Sequence, residues 1–495
     1  MTQGSRISNQ SGLIWLTVAI IMSFGVLTVN GAPLVYYDSF YYDEQGDKIL
    51  ERVFPSARDT GPAATQHDRG EGDEVVTVSR SPVYSLIMSL SWHATPPYAV
   101  AVLHAAAVLF SAWLVATAAS AAAGGSGFDL TLIAAPVAVA ALGALPFYVA
   151  YMMPDIFAAV SILMMATLVA FTRSLTRKQL LLALAVLVFA VISHRSHFLI
   201  VALAAPVAAC VALVSDRKHV LVIGGAIAAA AVLGALEIRA YSAAAERATG
   251  KAAAIAPYLT ARLIEDGPGY AYLLEHCPDP DIPTCALAEA LSRSDDPWRL
   301  TAAHIAFERS ERLGSFNLMS AEDQVRVSAD QRSFYLRVLA DRPVAVLSAV
   351  VMNTFRQTAR GSITMTIPDH YMLDFLRERF GPFNAGRLAG DDRSWIVQVD
   401  RAHTIVYAMS LGVIAVLCIV PGYATREVKV FAAFVLLGIL INAFVCGAVS
   451  QPADRYGARV IWLLPFTAAL MALLAMRLRT RSPNPTLGLY ESSVP

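Results

Sequence analysis

Four carboxylates and four tyrosines fall within Tyr36-Tyr37-Asp38-Ser39-Phe40-Tyr41-Tyr42-Asp43-Glu44-Gln45-Gly46-Asp47, a few residues after the first apolar stretch of the chain. A carboxylate held there, whether Asp38, Asp43 or Glu44, can take a proton from an acceptor hydroxyl or hold a divalent cation, Mg or Mn, while the faces of Tyr41 and Tyr42 suit stacking on sugar rings. A solvated acidic loop with tyrosines anchored at an interface has the same composition, so this stretch alone does not separate the two readings. A further acid, Asp155, follows Met153-Pro154 in a short turn between apolar stretches. Proline at a helix start with an acid in the first turn is the ordinary complement of the helix dipole. Placed on the same side as Asp38, it also qualifies as support for an acceptor or as a second cation ligand.

The basic counterparts lie in two other short turns. Ser193-His194-Arg195-Ser196-His197 leaves a guanidinium and two imidazoles between apolar stretches, and Gln451-Pro452-Ala453-Asp454-Arg455-Tyr456-Gly457-Ala458-Arg459 precedes the last one. Arg195, His194, His197, Arg455, Tyr456 and Arg459 are therefore candidates for a phosphate or pyrophosphate, because Arg bonds phosphate oxygens in bidentate fashion and stabilises a departing anion. Arg455 and Arg459 share a face if their helix starts early. Side chains snorkelling to lipid headgroups would look the same.

These turns need elements to hold them, and the composition says which. Of 495 residues 56% are hydrophobic and 15% charged, with a mean hydropathy of +0.53, far from the roughly 25% charge of soluble domains. Lys+Arg and Asp+Glu cancel at 38 each, which gives no reason to expect nucleic acid. About ten stretches approach the roughly 20 apolar residues a span requires: 12–30, 97–121, 129–150, 154–172, 179–194, 197–214, 219–237, 403–422, 429–449 and 458–476. The first reads as a retained span, since Asn30-Gly31-Ala32-Pro33 is a poor cleavage site. In lipid each must be helical to satisfy its own backbone. The expected fold is all-α and polytopic.

Charge sets the expected orientation. Arg173, Arg177 and Lys178, then Arg217 and Lys218, then Arg426 and Lys429, and finally Arg477, Arg479 and Arg481 fall in alternate connections, the positive-inside pattern of a multi-pass chain with both termini cytoplasmic. The long segments 31–96 and 238–402 then lie outside. Within the first, Ser81 to Met88 resumes apolar character and reads as an interfacial helix anchored by Trp92. The second reads as a small helical domain, dividing the chain into a membrane module over 1–237, an outer domain over 238–402 and a final module over 403–495. Cys277 and Cys285, in a proline-stiffened loop on that side, read as a disulfide. Cys210, Cys418 and Cys446 read as packing residues in spans.

In order, one span, an outer loop with an early acidic motif, an interfacial helix, an acid in the next outer turn and a late large loop resemble the GT-C fold membrane glycosyltransferases. The likeness is to the bacterial family of lipopolysaccharide-core and lipid A sugar transferases, and Arg455-Tyr456 before a terminal span matches it as well. The resemblance implies a bacterial inner-membrane, GT-C-like enzyme with a periplasmic α-helical domain, which moves a sugar from a polyprenyl-phosphate carrier to an envelope glycan or lipid acceptor with inversion. It implies Asp38 as base, with Asp43 and Glu44 as rivals, Asp155 as support for a cation or the acceptor, and Arg195, His197 and Arg455 on the carrier phosphate. The family's Asp-Glu pair matches Asp43-Glu44 and its Asp-Ser variant matches Asp38-Ser39; the choice stays open.

Two other classes compete. A polysaccharide polymerase or ligase would lean on Arg and His more than on the early acids. A lipid or glycan transporter would need a polar path, yet His104 and Glu237 are the main polar exceptions in the spans, and matched broken helices are missing from the two halves. No nucleotide-binding or HExxH motif is found. If the site is real, Asp38 or Asp43, Asp155 and the Arg195 turn should converge at one cavity.

Overall fold

The computed structural model describes residues 3–53, 75–94, 98–125, 128–215 and 219–481. The charged stretch Asp59–Glu74, the Arg217-Lys218 pair and the C-terminal residues from 482 lie outside the described residues. The chain is mainly α-helical. It begins with α1 (Gln3–Ser23), α2 (Gly25–Asn30) and α3 (Tyr37–Val53). A short strand β1 (Val75–Thr77) leads to α4 (Pro82–Ala94), the helix expected at the interface. Then follow α5 (Tyr98–Ala122), α6 (Leu130–Ala140), α7 (Leu145–Ala150), α8 (Ile156–Phe171), α9 (Arg177–Ser193), α10 (Arg195–Ser215) and α11 (Val220–Thr249).

Among the described residues, six helices are long and apolar enough to cross a membrane and three more, within α1, α6 and α10, are apolar but shorter. The remaining expected stretch, 179–194, forms α9, of 17 residues. The protein is thus multi-pass. At the centre stands α8, buried at every residue except Ala170, packed by α5, α9, α10 and α20 (Arg426–Val449). Gly438 permits that closeness: a Cβ there would meet Ile162 of α8.

One expected span is broken. The stretch read as 129–150 stops at Ala140 and resumes at Leu145, where Pro146 in the first turn of α7 lacks the N–H an unbroken helix would use and its ring would meet the carbonyl four residues back. Gly143, within the break, lies against the Tyr407 ring with no room for a side chain. The Tyr407 hydroxyl accepts a hydrogen bond from Ala144 N at 2.9 Å, which satisfies an amide freed by the break.

Between the two helical sets lies a second, smaller core. Strand β2 (Ala252–Ala254) pairs in parallel with β1, Val75 opposite Ala252. Helices α12 (Tyr258–Glu265), α13 (Pro268–His276), α14 (Cys285–Leu291), α15 (Ala302–Phe307) and α16 (Ala321–Asp341) pack around Leu273, Leu287, Ile305, Val327 and Phe334. Cys277 and Cys285 are joined in a disulfide there, with Cα atoms 5.5 Å apart. The next helices return to the bundle: α17 (Pro343–Thr358) packs on α20, and α18 (His370–Phe380) on α3. The chain ends with α19 (Ser394–Ile419), α20, α21 (Asp454–Ile461) and α22 (Leu463–Arg481). Helix α11 runs unbroken through position 237 and α19 through 402.

Candidate functional site

The polar turns meet because one backbone contact brings the two acids together. Leu34, just after α2, forms a parallel bridge with Tyr151: Leu34 N donates to Ala150 O at 2.9 Å and Met152 N to Leu34 O at 2.8 Å. That bridge sets the start of α3 beside the start of α8. The stretch beginning at Tyr37 is a helix and not a loop, with Asp38 in the first turn, where a carboxylate is favoured by the dipole. Asn30 fixes the other side: its side chain accepts from Leu388 N at 2.8 Å and donates to Ala385 O at 3.2 Å.

Five charged side chains then alternate in sign. Arg80, from the turn before α4, donates to Asp38 at 2.6 Å. Asp38 faces Arg455 at 3.7 Å, Arg455 faces Asp155 at 4.0 Å, and Asp155 accepts from Arg459 at 3.2 Å. Asp155 and Arg459 are fully buried and Arg455 nearly so. Taking such charges out of water costs several kcal/mol each, which only close pairing offsets. Arg459 is well paired: Asn442 Oδ1 accepts from its Nε and Nη2 at 3.1 and 2.9 Å, Ser196 Oγ from Nη2 at 3.2 Å, and Cys446 Sγ lies at 3.1 Å. Arg455 is held differently, its guanidinium lying over the rings of Tyr36 at 4.6 Å and Tyr456 at 4.9 Å. Its Nε is buried without a hydrogen-bond partner, as are Arg80 Nε, Asp155 Oδ2 and His197 Nε2. Unsatisfied groups of this kind are costly in a finished core and ordinary in a site awaiting a ligand.

The other candidate residues divide. Arg455 and Arg459 share the face of α21, as their spacing anticipated, and Tyr456 stacks with both. Asp155 makes no capping bond to α8, so its partners are the two arginines. His194 stays at the cluster through Ser196, its Nδ1 lying 2.8 Å from Ser196 Oγ, while His197 Nδ1 bonds Ala190 O at 2.8 Å. Arg195 turns away: its guanidinium donates to the carbonyls of Val78 and Ser79, where it ties the β1 segment to the bundle. Glu44 pairs with Lys48 at 2.6 Å one turn along α3. At about 100° per residue Asp43 and Glu44 sit roughly 140° and 240° around the helix from Asp38, whereas Tyr42 falls on its side. Tyr42 is buried edge-on to Tyr84, and Tyr41 lies under Arg80 at 4.6 Å.

Asp38 and Asp155 do not fit a divalent cation as arranged, because the Arg455 guanidinium bridges them, and no group of three His, Cys, Asp or Glu side chains converges among the described residues. Sequence reading missed Arg80 and Asn442. Asn442 had a signal, being an amide in an otherwise apolar span; Arg80 had none beyond its place before Ser81-Pro82.

Burial works against the charge on Asp38, but Arg80 and Arg455 outweigh it and hold its carboxyl below the usual carboxylate range. Burial pushes the Tyr36 phenol up to about 12, Arg455 opposing, and raises Tyr42 as well. Neither phenol is a proton acceptor near neutrality. Burial lowers the His194 imidazole to about 4, with Asp155 opposing and Arg459 and Arg455 adding to the effect. The cluster is therefore three guanidiniums against two carboxylates, with room in its charge balance for one more anion. No family model matches the chain, and neither a curated protein nor a solved structure matches it.

Proposed function

We propose that the protein is an inverting glycosyltransferase that takes a sugar from a polyprenyl-phosphate carrier. The observation that carries this reading is the alternating row Arg80, Asp38, Arg455, Asp155, Arg459, which joins a carboxylate able to accept a proton to guanidiniums with an unused donor. A phosphate on Arg455 and Arg80 leaves its sugar carbon within reach of an acceptor hydroxyl beside Asp38. The hydroxyl oxygen bonds to the anomeric carbon, the carbon–phosphate-oxygen bond breaks, and the carrier leaves with that electron pair while the hydroxyl proton passes to Asp38. Binding of the phosphate also competes for Arg455, which weakens its hold on Asp38 and makes the carboxylate more basic when it is needed. The acceptor is an envelope glycan or lipid and the compartment the periplasmic face of a bacterial inner membrane.

Transfer of radiolabelled sugar from defined polyprenyl-phosphate donors to an envelope lipid extract tests the reading, comparing wild type with Asp38→Asn and Asp43→Asn. Loss of about 10²-fold or more in Asp38→Asn, with Asp43→Asn near wild type, is the expected result. A folded wild type inert with every donor, or one indifferent to Asp38→Asn but silenced by Arg455→Gln, would shift the reading to the polymerase or transport classes.

A further inference from the structure

Helix α17 has its polarity inside out. Five of its large apolar residues, Val344, Leu347, Val351, Met352 and Phe355, are 49% to 80% exposed, whereas Asn353 and Gln357 are 2% and 1% exposed and lie on the buried side with Val346. At about 100° per residue the five apolar positions fall within an arc of roughly 140°, opposite the two amides. A helix on the surface of a water-soluble unit shows the reverse arrangement. The buried amides are fully used: Asn353 Nδ2 donates to both Asp266 oxygens at 2.9 Å, Gln357 Nε2 donates to Ala453 O at 3.0 Å, and Ala453 N donates to Gln357 Oε1 at 2.8 Å. The polar face is therefore where α17 meets the protein, and the apolar face is where it meets something else.

We infer that the exposed face of α17 is immersed in the hydrocarbon of the bilayer, so that this segment, read from sequence as part of the outer helical domain, is a lipid-embedded element. The occupant follows from what α17 rests on. It packs along α20, a helix long enough to span, with Gly447 so close to the Asn353 backbone that a side chain would not fit. On α20 itself Leu440 and Phe444 are exposed as well, and the apolar arc of α17 carries no charge. A face of aliphatic residues and one phenylalanine, contiguous with a spanning helix, is matched by acyl chains; with 16 residues, about 24 Å, α17 enters the leaflet without crossing it. The embedding also has a consequence for the charged row: Gln357 holds the turn that leads into α21, so the lipid-seated helix positions the segment carrying Arg455.

The test uses the full chain in liposomes with Cys210 and Cys418 replaced by Ser and one nitroxide label at a time, at Val351→Cys, Phe355→Cys, Met409→Cys or Ser333→Cys. Met409 lies exposed within the spanning helix α19 and Ser333 exposed on α16, so they calibrate lipid and water. Labels at 351 and 355 should relax several-fold more with oxygen than with a nickel chelate, as at 409. A nickel preference like that at 333 would place the face in water and overturn the inference. Protection from both relaxers would overturn it too, in favour of a protein partner. None of these outcomes depends on the proposed sugar transfer.

Discussion

Arg455 and Arg459 occupy successive turns of one helix and share Asp155, yet they are built for different ends. Arg459 is enclosed by Asn442, Ser196, Cys446 and Asp155 and directs donors from all three of its nitrogens at acceptors. Arg455 has two carboxylates at ion-pair distance, two aromatic faces and an idle Nε. A satisfied buried charge holds a fold together, and an unsatisfied one keeps binding energy in reserve. On the proposed function the contrast separates scaffold from site within 4 residues.

Breaking the scaffold side should have the largest effect. Arg459→Met leaves Asp155 buried beside Arg455 alone, and removal of one partner from a buried pair costs about 3–5 kcal/mol. Thermal unfolding in detergent should show that loss, and the double variant Arg459→Met with Asp155→Leu should recover much of it, because the orphaned carboxylate is then gone. If the double variant is no more stable than the single one, the Asp155 pairing is not what Arg459 supplies.

Arg455→Gln should do the opposite. Its melting temperature should stay within a few degrees of wild type, since few bonds are lost, while sugar transfer falls by about 10²–10³-fold, the usual scale for removing one donor from a developing anion. A melting loss as large as that of Arg459→Met would erase the distinction.

Much of the frame was legible in the sequence. Runs of apolar residues gave the spans because the bilayer imposes one length and one secondary structure, and the 455/459 spacing gave a shared helical face. The partnership of Asp38 with Asp155 was only an expectation, as it depends on the Leu34–Tyr151 bridge between positions more than 100 residues apart. Arg195 was legible as a cation but not as a backbone clamp, since its acceptors are carbonyls, which every residue has. The break at 141–144 was signalled by Gly143 and Pro146, whereas the hydroxyl of Tyr407 on another helix, which satisfies the freed amide, was not. The lipid-facing character of α17 was written in its periodicity, but periodicity states which face is apolar and not which face is buried.

A smaller effect separates the imidazole from the carboxylate by pH. His194, held at about 4 in the fold, binds a proton more readily in the unfolded chain, where a histidine titrates near 6.5. Stability from keeping it neutral is present above about 6.5 and declines as the pH falls toward 4. Asp38, held below its ordinary value, contributes above about 3.9 and loses its contribution only as the pH falls further, through its folded value. Melting temperature should therefore drop between pH 6.5 and 4.5, and His194→Gln should lessen that slope while leaving the loss below pH 4. An unchanged slope in His194→Gln would assign it to other groups.

The smallest effect is expected at Glu44, and it sharpens the contrast by supplying its zero. Glu44 pairs with Lys48 along one helix, a partly exposed pair worth about 0.3–0.5 kcal/mol, and it lies around α3 from Asp38. Glu44→Gln should leave transfer within about twofold of wild type and move the melting temperature by a degree or two. If transfer falls instead by the factor expected for Asp38→Asn, the acidic pair at 43 and 44 is the reacting one. The alternating row would then be scaffold throughout, with Arg455 no different in kind from Arg459.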